Sequence, residues 1–221
     1  MNSPLPTLPD RIRQAIAPAH VAVEQTPFAR GMVSGTIGRA EYVAGLAQLG
    51  CLHRELESAT ASASASLPAK LIPPPRTPAI ERDLFALGGE ADAEPHAVVA
   101  ELTERFYHWA QATPTALLGA VYVMEGSRMG SMVLARSLTR ALKVEPRPGQ
   151  GLDYHIDGIA TRPTDWKAFR AQLAGTEFSE DDQALIVAAA VQVMDALTAL
   201  YSAVPVADFE AIAMKLETVA V

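Results

Sequence analysis

His20, Arg13 and Glu24 are the residues whose types and spacing bear most directly on chemistry. They lie in the stretch RIRQAIAPAHVAVE, where Ile12, Ala15, Ile16, Ala19 and Val23 recur at helical spacing. Arg13 stands seven positions before His20 and, at 3.6 residues per turn, falls within about 20° of it on one helix face. Glu24 follows one turn later on the same face. An imidazole among small and aliphatic residues, with a guanidinium beside it, can ligate a metal while the cation meets acidic groups around that metal.

The second chemical feature is an absence of side chains. The stretch 116–142, ALLGAVYVMEGSRMGSMVLARSLTRAL, is long, apolar and free of proline, which predicts a buried helix. Gly126 and Gly130 sit in its middle, each costing roughly 1 kcal/mol against alanine. Four residues turn through about 400°, so both glycines share one face, which Ser127 and Ser131 thin further. Such a strip serves either close helix–helix contact or close approach of something flat. Tyr122, one turn before Gly126, serves equally as pocket wall or core. A haem needs an imidazole on one side, an unobstructed wall on the other, and cations at its edge for the propionates. His20, the glycine strip and Arg13 offer that set.

Other chemistries have weaker support. A di-iron site on a helical bundle wants Glu-x-x-His on two helices, and the chain has no such pair. Glu101, Glu104 and His108 read as a solvated face. His53 is placed towards the polar end of its helix with Arg54, Glu55 and Glu57, and His155 in a surface loop. Cys51, the single cysteine, excludes an intrachain disulfide, CxxC redox chemistry and a thiolate cluster, and no partner motif makes it a nucleophile. A net charge of −7 argues against a nucleic-acid surface. The N-terminus lacks the basic and apolar regions of a signal peptide. No uninterrupted apolar run reaches the ~18 residues of a membrane span. The nearest, Ala184–Ala199, contains Gln192 and Asp195 and is expected to be a buried helix. The expected compartment is the cytoplasm.

The elements that must position these groups are all helical, and no stretch reads as a strand. Residues 1–7 are expected to be a disordered leader. A first helix starts near Pro9–Asp10 and bends at Pro18. The chain loosens over 26–38, with a cap at Thr36 or a neighbour, and a second helix runs from about Arg39 to Ala59. A proline-rich loop over 61–79 leads to a short helix, 78–87, stopped by Gly88–Gly89. Further helices are expected at 95–112, 116–142, 166–175 and from Ser179 to about Val204, with an irregular crossing after Leu142. The segment 205–221 is a tail with helical spacing over Asp208–Thr218. One all-α domain of about seven helices results.

The ordered set RIRQAIAPAHVAVEQTPFARGMVSGTI, RTPAIERDLFALGG, GAVYVMEGSRMGSMVLAR and DWKAFRAQLAGTEFSEDDQALIVAAA resembles the biliverdin-producing heme oxygenases, nearest to the bacterial branch associated with phytochromes. The likeness implies a heme oxygenase-like single-domain helical bundle over 8–204. It implies His20 as proximal iron ligand, Glu24 as its partner, Arg13 and Arg170 at the propionates, and Gly126 and Gly130 on a kinked distal helix. Ser127 stands where animal members carry an aspartate. Ser131 replaces the second glycine of the usual pair, where it could narrow the distal pocket, and Arg128 replaces a small polar residue. The implied reaction is cleavage of haem to biliverdin, carbon monoxide and iron. It uses O₂ and electrons from a ferredoxin or reductase, since the chain has no flavin or nucleotide motif, and a phytochrome could consume the product. A haem-binding or haem-sensing protein without turnover is the alternative that Arg128 and Ser131 would favour.

Overall fold

The structure, a computed structural model, describes residues 5–206. Within them it is all-α, with no strand. Helix α1 is Leu8–Glu24, α2 Pro27–Ser34, α3 Arg39–Ser62, α4 Thr77–Leu87 and α5 Ala97–Ala112. They are followed by α6 Leu117–Leu142, α7 Asp153–Ile156, α8 Arg162–Ala174 and α9 Glu180–Ala203. Of the expected leader, residues 1–4 lie outside the described residues, as does the expected tail from 207 onwards. Thr7 is the residue before α1, and its hydroxyl donates to Asp10 Oδ2 at 2.6 Å.

Local sequence accounts for most boundaries. Pro9 in the first turn opens α1, and the helix continues through Pro18. Gly38 precedes α3, its N–H donating to Glu41 Oε2 at 2.6 Å. Ser179 accepts from Asp182 N at 3.1 Å and starts α9. Two short helices depart from expectation. The segment 26–38 contains α2 because Thr26 accepts from Ala29 N, Pro27 fits the first turn, and Gly35 ends the helix at φ 75°. The crossing after Leu142 contains α7, which packs on both α4 and α6 and is fastened by Asp83, whose carboxylate accepts from Asp153 N and Tyr154 N.

Helix α9 is the centre of the bundle, packed on α1 and α6. It is the one described helix long and apolar enough to cross a membrane, and its face through Ile186, Ala190, Val193, Leu197 and Leu200 is buried in the core. At Gly119 the α6 and α9 backbones nearly touch: a Cβ there would lie 2.2 Å from Ile186 O and 2.7 Å from Ala190 N. Arg162, fully buried, fastens the start of α8 to its neighbours. Its guanidinium donates to Arg128 O and His155 O at 3.0 Å and to Asp157 O at 2.7 Å. Burial lowers its pKa to about 10, so it keeps its charge at neutral pH. Beyond Arg162, only Leu173 of α8 is buried.

Candidate functional site

A cleft of about 240 Å³ lies between α1, α6, α8 and α9. On the α1 side it is lined by Arg13, Ile16, His20 and Val23, residues that one helical face brings together. Tyr122, Val123, Gly126 and Ser127 line it from α6, and Trp166 and Arg170 from α8. Met194, Leu197 and Tyr201 of α9 close the floor. His20 and Gly126 therefore line one space.

His20 is exposed to that space, its side chain 56% accessible, and its Nδ1 lies 3.4 Å from Glu24 Oε1. Glu24 does not itself line the cleft and reaches it through His20. The carboxylate next to Nδ1 leaves Nε2 available to a metal, the usual arrangement behind a ligating histidine. Arg170 Nη2 pairs with Asp10 Oδ1 at 3.3 Å, while its Nε is buried without a partner. A buried guanidinium N–H aimed at no acceptor is a ready site for an anionic group. Asp10 is kept ionised by the Thr7 hydroxyl first, and by Arg170 and Arg13, all lowering its pKa. Tyr122 does two things at once: its hydroxyl donates to Pro9 O at 3.2 Å, tying α6 to the start of α1, and its ring forms cleft wall.

Gly126 has a specific neighbour. A Cβ at this position would lie 3.3 Å from Trp166 Cη2, tight enough to force the indole to yield. Trp166 meets Tyr122 edge to face at 5.0 Å and stacks on Phe169 at 5.7 Å. The strip that is bare in sequence is thus covered by an indole carried on a lightly buried helix.

Gly130 departs from expectation. It does not line the cleft, and a Cβ there meets nothing within 4 Å. Helix α6 is continuous from Leu117 to Leu142 through both glycines. Arg128 is turned away from the cleft but is buried, with Nη1 2.8 Å from Glu125 Oε2. Ser131 does not narrow the cleft, since its hydroxyl is 3.0 Å from His155 Nδ1 on the far side of α6.

His155, expected at the surface, is buried on α7, and burial lowers its pKa to about 3. His53, expected on a polar face, is equally buried and held near 3 by burial and by Arg76 and Arg128. Sequence reading missed Trp166, Met194, Leu197 and Tyr201 as cleft residues. The signals were present: Trp166 stands one turn from Arg170, and the three α9 residues recur at 194, 197 and 201 along one stripe.

The heme oxygenase family model matches residues 7–202. Heme oxygenase from Leptospira interrogans superposes with a TM-score of 0.76 at 19% identity, covering 89% of this chain and 98% of that one. Heme oxygenase-1 from the cyanobacterium Synechocystis, solved in complex with heme, gives 0.77 at 15% identity, covering 97% and 100%. A domain of unknown function from Shewanella denitrificans gives 0.70 at 12% identity, covering 92% of each chain. No curated protein matches. The family match along nearly the whole described chain, on a fold with His20 and Gly126 lining one cleft, means that this chain belongs to the heme oxygenase family.

Proposed function

We propose that the chain is a haem-cleaving, biliverdin-forming heme oxygenase with His20 as the iron ligand. What supports the reading is that His20, Gly126, Arg13 and Arg170 line one largely apolar cleft. The residues fit the group: a free imidazole edge, an α-carbon a side chain would crowd, and a guanidinium N–H with no partner. Bound haem supplies both the iron that activates O₂ and the macrocycle that is opened, with electrons from a ferredoxin or reductase.

The chain's residues bind, orient and exclude. His20 Nε2 is the ligating atom, and Glu24 on Nδ1 raises its basicity and fixes its ring. Arg13 and Arg170 take the propionates, Arg170 exchanging Asp10 for a second carboxylate. Ile16, Val23, Val123 and Leu197 keep the walls apolar. Gly126 presents no side chain to the cleft, and Ser127 is the polar side chain beside it, its hydroxyl donating to Met124 O at 2.8 Å. At about 240 Å³ the cleft is below the ~300–1,000 Å³ of small-molecule sites, and Trp166, which packs on Gly126, is the side chain whose displacement would widen it. A phytochrome as consumer of the product, and the cytoplasm as compartment, complete the proposal.

Arg128 and Ser131, which would favour haem binding without turnover, both point out of the cleft. Among the described residues no group of three or more His, Cys, Asp or Glu is placed to hold a metal ion, which leaves a di-iron site without support. The test is hemin addition followed by a reductant in air. A histidine-ligated spectrum that decays to biliverdin is expected, and a stable haem spectrum would instead mark a sensor. His20→Ala is expected to lose proximal ligation and turnover while haem still enters. Normal turnover in that variant would refute the ligand assignment.

A further inference from the structure

Asp10 stands in the first turn of α1 with both carboxylate oxygens engaged. Oδ2 accepts from the Thr7 hydroxyl at 2.6 Å, and Oδ1 meets Arg170 Nη2 at 3.3 Å. Its own N–H donates to Thr7 O at 2.9 Å. The residue before it is fastened as well, since Pro9 O accepts from the Tyr122 hydroxyl of α6 at 3.2 Å. Asp10 is therefore held in place whether or not Arg170 is on it. Arg170 lines the cleft and Asp10 does not.

This contact satisfies Arg170 only in part. Its Nε and Nη2 share one edge of the guanidinium, an edge that can grip a carboxylate through two parallel hydrogen bonds. Asp10 takes the Nη2 end alone, because its other oxygen belongs to Thr7, and Nε is buried with no partner. The pair is also about one-third exposed, Arg170 at 37% and Asp10 at 34%, which makes it a weak one. A ligand carboxylate entering the cleft has both oxygens free and can take the whole edge. Arg170 rides on α8, where past Arg162 only Leu173 is buried, so the guanidinium can shift while Asp10 stays. Arg13, three residues after Asp10, lines the same cleft and draws on the same carboxylate. Arg11 is engaged elsewhere, with Glu180 and Gln183 of α9.

We propose that Asp10 is a built-in competitor for the ligand's carboxylate: it holds Arg170 in the empty cleft, yields it to an entering propionate, and takes it back as the ligand leaves. The proposal rests on the reading of the cleft as a haem site, whose substrate and ring-opened product both carry two propionates. Asp10 makes no bond to either ligand and acts through Arg170, so it is a positioning residue. Its effect is to hold the cleft's affinity for carboxylate ligands below what an unopposed Arg170 provides, and to speed their release. Release of the product depends on this most. Once iron is gone, His20 no longer anchors the ligand, and only the arginines and the apolar walls hold it.

The experiment measures ligand release from full-length wild type, Asp10→Asn, Arg170→Gln, the double variant and Thr7→Val. Hemin release is read by transfer to excess apomyoglobin, and biliverdin release by stopped-flow absorbance after dilution. Asparagine keeps an acceptor for the Thr7 hydroxyl but cannot pair with Arg170 as an ion. Asp10→Asn is expected to release hemin and biliverdin about threefold more slowly, the scale of a partly exposed ion pair, with the haem spectrum unchanged. The slowing is expected to vanish in the double variant measured against Arg170→Gln. It is also expected to vanish for hemin dimethyl ester, whose blocked carboxylates cannot contend for Arg170. Thr7→Val frees Oδ2 to join Oδ1 on the guanidinium and is expected to shift release the other way, towards faster. It decides the matter should Asp10→Asn fail to fold. Slowing of equal size with the ester or in the double variant marks a general charge effect and overturns the competitor. Wild-type release from Asp10→Asn, or from Thr7→Val where that variant decides, overturns it as well. A wild-type chain that takes up neither hemin nor biliverdin overturns the haem reading and the competitor together, whereas normal uptake with unaltered release overturns the competitor alone.

Discussion

Gly126 shows how much one missing methyl group can decide. A Cβ would meet Trp166 at 3.3 Å, a contact the indole relieves by moving a few tenths of an ångström. Alanine also gains roughly 1 kcal/mol in a helix interior. Gly126→Ala is therefore expected to melt within a few degrees of wild type while binding hemin more weakly, and Gly126→Leu to abolish uptake in a folded protein. Circular dichroism melting and hemin titration check both. Undiminished uptake by Gly126→Leu would mean that this face does not meet the ligand. Gly130 is the internal control, because alanine there enters open space and is expected to leave hemin affinity unchanged.

The helix α8 is the element most able to move. It is fastened at its start by the three carbonyl contacts of Arg162, yet among its later residues only Leu173 is buried. Elements with few buried contacts open at low free-energy cost. Hemin binding is expected to displace Trp166 and quench its fluorescence, and Trp166→Ala to speed uptake. Uptake by Trp166→Ala no faster than by wild type would show that Trp166 does not stand in the ligand's way. The short helix α7 is set by a different force. Burial raises Asp83 to about 7, with its two backbone N–H donors pulling the other way. An acid whose folded pKa lies above its unfolded value favours the fold at low pH, and that advantage is lost as pH rises from about 4 to about 7. The buried His53 and His155, both near 3, work in the opposite sense as pH falls below about 6.5. The stability difference between wild type and Asp83→Asn isolates Asp83: wild type should be relatively more stable at pH 5 than at pH 8. Parallel melting curves across that range would show that Asp83 titrates normally.

At the scale of the whole molecule, the cleft exists because α1 and α6 both rest on α9. The spacing of α6 on α9 is set at Gly119, where backbone meets backbone. Gly119→Ala forces the helices apart, since neither Ile186 O nor Ala190 N can yield as a side chain would. A loss of about 3 kcal/mol is expected. That lowers the melting temperature by roughly 6–12 °C in a chain of this size, measurable by calorimetry. A melting point equal to wild type would show that the two helices have slack.

The sequence by itself determined what depends on neighbours along one helix. The helical periods, the stop at Gly88 and the cap at Ser179, the shared face of Arg13, His20 and Glu24, and the apolar character of α6 follow from 3.6 residues per turn and from the chemistry of Pro, Gly and Ser at helix ends. Helix α2 was legible too, in Thr26–Pro27 and Gly35, although the glycines there suggested slack. Tertiary structure alone decided which residues of different helices meet. Gly126 faces the cleft and Gly130 passes its edge; Trp166 covers the bare strip; Tyr201 of α9 reaches the floor; His53 and His155 are buried. These outcomes turn on how helices far apart in sequence rotate and cross on one another. That is fixed by the fit of the whole core, and no local spacing encodes it.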